Sequence, residues 1–177
     1  MNNYGFTGGI TEREMLGGTR TPQKEENIPG VKEYIRFDSA IAYAKKLQAS
    51  EDPSDPDTRF ANDLHATIAG KLNLENYADL KFYSSIGTHL DKYYGVDAFF
   101  EIKIDNVTVL VTMDITTNPN KGDQYKADTI INMPKGGLDP DLSEDKEVYR
   151  QKIEEVSGEV VKIICSKYDE IISRRKK

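Results

Sequence analysis

The chain has 177 residues, 37% of them hydrophobic, with 24 basic against 30 acidic side chains and a formal charge of -6. That length supports one hydrophobic core and a tail, not two comfortable cores. The negative balance repels a phosphate backbone at long range, so any nucleic-acid contact needs a local basic patch or a bound cation, and a simple DNA-binding module is disfavoured.

The first 31 residues carry Gly5, Gly8, Gly9, Gly17, Gly18, Pro22, Pro29 and Gly30 among apolar residues that keep no period. They read as an N-terminal arm ahead of a single domain over 32–177. Tyr4, Phe6, Ile10, Met15 and Leu16 give the arm something to bury against its own domain or a partner chain. The alternative is a disordered leader. The missing period favours an arm laid over a surface other than its own compact core, so its partner would be another protein or a second copy.

From Asp38 the spacing of Ile41, Tyr43, Ala44 and Leu47 predicts a helix to about Ser50, capped by Asp38 or Ser39. EDPSDPD is an acidic loop into a second helix, TRFANDLHATIAGKLN, where Phe60, Leu64, Ile68 and Leu72 form one stripe and Asp57 or Thr58 is the cap. LKFYSSI, 80–86, reads as a strand and GTHLDKYYG as a loop. A hairpin follows, then the turn-rich NPNKGDQYK and a strand in ADTIINM, 127–133. A long final helix is predicted from about Leu142, with Asp141 and Glu144 as its cap and a closing RRKK that suits a helix C-terminus. Cys165 cannot form an intramolecular disulfide and, lying mid-helix among apolar residues, reads as core; a reducing cytosol is the default compartment. No run approaches the roughly 18 apolar residues of a membrane span, and the N-terminus lacks the pattern of a signal peptide, so no membrane partner is expected.

The hairpin, GVDAFFEIKIDNVTVLVTMDIT, carries the chemistry. A two-residue turn at Asp105-Asn106 sets Val96, Ala98, Phe100, Ile102 and Ile104 against Ile115, Met113, Val111, Val109 and Val107 on one apolar face. The same register puts Asp97 opposite Asp114 on the other face, which also carries Phe99 and Leu110. Facing carboxylates destabilise each other unless a cation or a shared proton lies between them. Mg²⁺ or Mn²⁺ is the natural cation, and it would permit metal-assisted attack of water on a phosphodiester. The bland alternative is a pair of solvated aspartates on an exposed sheet face.

From Arg59 to Met133 the arrangement resembles the PD-(D/E)XK, or restriction-endonuclease-like, nuclease superfamily: a helix, a strand, a loop, a strand opening GVD, a hairpin, and a strand ending in an acid. The resemblance implies an α+β fold of α/β/α type, a small mixed sheet with a central hairpin flanked by helices. It also implies Asp97 and Asp114 as metal ligands and DNA as substrate, in a bacterial cell or a virion. The family's lysine position holds Thr116, which carries no charge but can bond a metal-bound water. Lys121 or Lys126 would then reach back from the next loop. Asp63 is the nearest candidate for a helix-borne acid, with Glu75 further along, and His89, Asp91 or Lys92 would border the site. His65 and His89 lack the spacing of a zinc site. The competing function is a virion structural or interaction protein that keeps the nuclease-like core as scaffold and clasps a neighbour with its arm.

Overall fold

The computed structural model describes residues 12–17, 35–118 and 127–176. They form five helices, one 3-10 turn and a four-stranded mixed sheet: α1 (12–16), α2 (Phe37–Leu47), α3 (Arg59–Lys71), β1 (Leu80–Ser84), α4 (His89–Tyr94), β2 (Ala98–Ile104), β3 (Val107–Thr116), β4 (Thr129–Asn132) and α5 (Lys146–Arg175). The strands lie in chain order, with β1, β2 and β3 antiparallel and β4 parallel to β3. No helix among the described residues is long and apolar enough to cross a membrane.

Alternation sends side chains from β2 and β3 to both faces, and both faces are covered. Phe100, Ile102, Val109, Val111 and Met113 meet Leu64 and Ile68 of α3 and Val156, Val160 and Ile164 of α5. Phe99 meets Tyr83, Leu90, Tyr94 and the apolar stripe Ala40, Ile41 and Ala44 of α2. The result is the expected α/β/α layering. Outside the ladders, Phe82 N–H on edge strand β1 donates to Pro53 O at 2.7 Å, so the acidic loop partly covers that edge.

Several local expectations change. GTHLDKYYG is helix, not loop: Thr88 Oγ1 caps the Leu90 N–H at 3.1 Å, and Gly95 closes α4 at φ 61°, a conformation that favours glycine. The last helix starts at Lys146, four residues later than predicted. Asp141 is drawn off to Arg59 at 2.7 Å, and Asp145 accepts from Asp139 N–H at 3.0 Å, so these acids hold the preceding turn together. Thr58 makes no side-chain cap on α3; its hydroxyl donates to Met15 O at 2.6 Å. Cys165 is exposed, because Ile164 and Tyr168 take the inward side of α5 and the intervening residue is turned away.

The arm also departs from expectation where it is described. Met15 and Leu16 lie in the main core, and Ser84 Oγ donates to Gly17 O at 3.0 Å, so α1 packs on its own chain. The rest of the arm lies outside the described residues. Leu16 is 2% exposed, and Leu16→Ala is expected to lower stability by about 2–4 kcal/mol through the cavity it leaves. Urea denaturation checks this; an unchanged midpoint would mean that α1 adds nothing to the core.

Candidate functional site

The positive φ of Asp105 (47°) and Asn106 (63°) builds the two-residue turn that the spacing called for. From Ile104–Val107 to Ala98–Met113 the register runs as predicted. At Asp97 it stops. The Asp97 N–H donates to Met113 O at 2.8 Å, yet Met113 is already opposite Ala98, so two residues of one strand face one of the other. This β-bulge adds a residue, and with a side-chain period of two it moves everything upstream to the other face. Val96 accordingly packs with Phe99 and Leu90, while Ile115 stays in the opposite core, and the expected Val96–Ile115 pair does not form.

The two aspartates still meet. Asp97 and Asp114 are 4% and 2% exposed, so neither is a solvated surface residue. Asp97 Oδ2 accepts from Ile115 N–H at 2.7 Å, the place a β2 carbonyl would otherwise fill, and Asp97 O accepts from Ser85 N–H at 2.7 Å. Burial pushes the Asp97 carboxyl up to about 8, against the lowering effect of the Ile115 N–H. The charges of Asp114 and Glu12 and a hydrogen bond shared with Asp114 push it further the same way. At neutral pH Asp97 therefore keeps its proton, beside Asp114 to which it is hydrogen-bonded.

Glu12 is the acid that the sequence reading missed. It lies on α1, in a stretch with no period to place it, and TEREML flanked by glycine pairs was the only hint of a short docked helix. Asp63 does not join the site. It accepts from Tyr149 Oη at 2.7 Å across the α3–α5 groove, and Glu75 is exposed. Thr116 is buried beyond Asp114 on β3, its hydroxyl engaged at 3.1 Å by Asn118 N–H. Lys121 and Lys126 lie outside the described residues.

His89 turns to Tyr43 and Tyr93, with ring centroids at 5.9 and 5.6 Å. Lys92 lies over the Tyr93 ring at 5.6 Å, and Asp91 accepts from Gly87 N–H at 2.8 Å. These three residues build α4 beside the site. His65 Nε2 donates to Leu80 O at 2.8 Å, a structural bond between α3 and β1. The RRKK run follows Tyr168, whose hydroxyl bonds Asp105 at 2.9 Å at the hairpin turn. Tyr168 is therefore at the end of the sheet away from the aspartates.

In comparisons with known proteins the chain matches no family model, no curated protein and no solved structure. The functional reading therefore rests on this geometry. Among the described residues no group of three or more His, Cys, Asp or Glu side chains is arranged to hold one metal ion. Two buried carboxyls that oppose each other, one held largely protonated, nevertheless fit a divalent cation, because Mg²⁺ commonly uses one or two carboxylates and takes its other ligands from water and substrate phosphate.

Proposed function

We propose that this chain is a divalent-metal-dependent nuclease-like protein acting on DNA phosphodiesters, built on the PD-(D/E)XK plan. The carrying observation is the buried Asp97–Asp114 pair at the open end of the β2–β3 hairpin. The element order from α3 through the hairpin to β4 supports the resemblance. Asp97 and Asp114 would hold the ion. When bound, Mg²⁺ or Mn²⁺ polarises a phosphoryl oxygen and makes water a better nucleophile at neutral pH.

The chain's own part is positioning. Ile115 N–H fixes one oxygen of Asp97, the bulge sets that carboxyl against Asp114, and burial strengthens the electrostatics between them. The acidic surface is tolerable in this reading, since a cation at the site supplies the attraction for phosphate that the protein's net charge does not. A bacterial cell or a virion is the setting that the resemblance brings with it.

A second reading has its own observation. Thr116 stands where the family carries lysine, and its hydroxyl is already engaged by the main chain. This favours a structural or interaction protein that retains the site without catalysis. One experiment separates the two: single- and double-stranded DNA with Mg²⁺, Mn²⁺ or EDTA. The nuclease reading expects metal-dependent cleavage that falls at least about 100-fold in Asp114→Asn, since losing a ligand should cost no less than losing its outer-shell support. It also expects a faster rate in Thr116→Lys. Metal binding without cleavage in any of these proteins would decide for the scaffold.

A further inference from the structure

We propose that Tyr93, flanked by Lys92 and Arg13, is a platform for an unpaired base, so that the DNA entering the aspartate site is single-stranded. This rests on the phosphodiester reading of Asp97 and Asp114 above. Tyr93 is 40% exposed, yet its ring is held in place. It stacks on His89, with centroids 5.6 Å apart and planes inclined by 24°, and the buried His89 ring meets Tyr43 of α2 edge-on at 5.9 Å. The platform is thus oriented before any ligand arrives, which spares a stacking base the cost of ordering it.

The aspartate site borders this ring. Tyr93 is four residues before Asp97, a span of at most about 15 Å along the chain. Gly95 turns the chain back between them, and Val96 N–H bonds Leu90 O at 3.4 Å. Ahead of α4, Gly87 is two residues from Ser85, whose N–H donates to Asp97 O at 2.7 Å. There Arg13 Nη2 comes within 3.9 Å of where a Cβ on Gly87 would stand, while Lys92 Nζ is 5.6 Å from the centre of the Tyr93 ring. Arg13 and Lys92 are both exposed. An exposed cation therefore stands near each end of α4, and a net charge of -6 makes such local cations necessary if a phosphate chain is to approach.

The occupant follows from what each group can bind. Guanidinium and ammonium groups take the phosphates of a single strand or a duplex alike. The Tyr93 face discriminates, because bases in a duplex are stacked on one another and only an unpaired base has a face to offer. Glu12 and Glu14 beside Arg13, and Asp91, which accepts from Gly87 N–H at 2.8 Å, weaken the pull on phosphate. Stacking therefore carries much of the affinity.

Fluorescence anisotropy in EDTA reads binding without metal-dependent cleavage. The probes are a labelled oligo(dT) strand, its duplex with oligo(dA), and an abasic strand of the same length, which keeps the phosphates and lacks the bases. Wild type should prefer oligo(dT) to the other two. Tyr93→Ala should lose about 5- to 150-fold on oligo(dT) and change little on the others, and Tyr93→Phe should bind as wild type does. The plot of log affinity against log salt should have a slope of about -1.4 for two phosphate contacts, falling to about -0.7 in Lys92→Gln. The platform is overturned if Tyr93→Ala binds oligo(dT) as wild type does, or if wild type binds the duplex or the abasic strand as well as oligo(dT), or does not bind oligo(dT) at all. The comparison of strands needs wild type alone, so it holds even where a variant folds poorly. Tyr93-dependent binding with no cleavage in Mg²⁺ or Mn²⁺ upholds the platform and overturns the nuclease reading. Cleavage that needs Asp114 and runs equally fast in Tyr93→Ala does the reverse.

Discussion

Asp97→Asn is expected to stabilise the metal-free protein by about 2–4 kcal/mol more at pH 9 than at pH 5. In the unfolded chain the Asp97 carboxyl titrates near its ordinary value of about 3.9. In the folded protein burial and the Asp114 charge push it up to about 8. Between these limits the folded state keeps a proton that the unfolded state has released, so stability falls as pH rises through the window and levels off above it. Asparagine imitates the protonated acid: its oxygen can still accept from Ile115 N–H and its amide can donate to Asp114. The variant should lack the decline. Urea midpoints at pH 5, 7 and 9 measure the difference between the two proteins, which removes the groups they share. A gap that does not widen with pH would show that the folded protein does not hold Asp97 protonated.

Some of this was legible in the sequence because strong local rules coincided. Asp105-Asn106 lies between two runs of alternating apolar residues, and both residues tolerate positive φ, so turn and register followed together. The long stripe from Tyr149 to Ile171 could hardly be anything but helix. The α/β/α layering was anticipated from the resemblance, and Phe99 with Leu110 on the second face already hinted at cover there.

What stayed hidden depended on contacts distant in sequence. The bulge at Asp97 has no local marker; it exists because the Asp97 carboxyl substitutes for a strand carbonyl at Ile115 N–H. Helix α4 is only six residues long and is specified by its two ends, Thr88 and Gly95, more than by any period. Helix α1 is shorter still, and nothing near Glu12 announces a site residue. Its place follows from Met15 and Leu16 finding space in a core built by residues far along the chain. The acids near Asp141 were misassigned for the same reason, since Arg59, 82 positions away, competes for them.

The second large effect expected is on cation binding. A divalent ion needs the carboxylate, not the acid, so an ion entering between Asp97 and Asp114 must displace the proton held there. Below about 8, where Asp97 is mostly protonated, each pH unit raises the deprotonated fraction about tenfold, and Mn²⁺ affinity should rise with it. Above that value affinity should level off. Titration calorimetry at pH 6, 7, 8 and 9 should therefore give a dissociation constant that falls by about 100-fold from pH 6 to pH 8 and little afterwards, with close to one proton released per ion at the low end. Repeating the pH 7 titration in buffers of different ionisation enthalpy counts that proton directly. Asp97→Asn should bind far more weakly and release no proton, since the group that exchanged it is gone. If wild type binds Mn²⁺ with the same affinity from pH 6 to pH 9, the ion does not displace a proton from this pair and must be held elsewhere, and the assignment of Asp97 and Asp114 as its ligands fails.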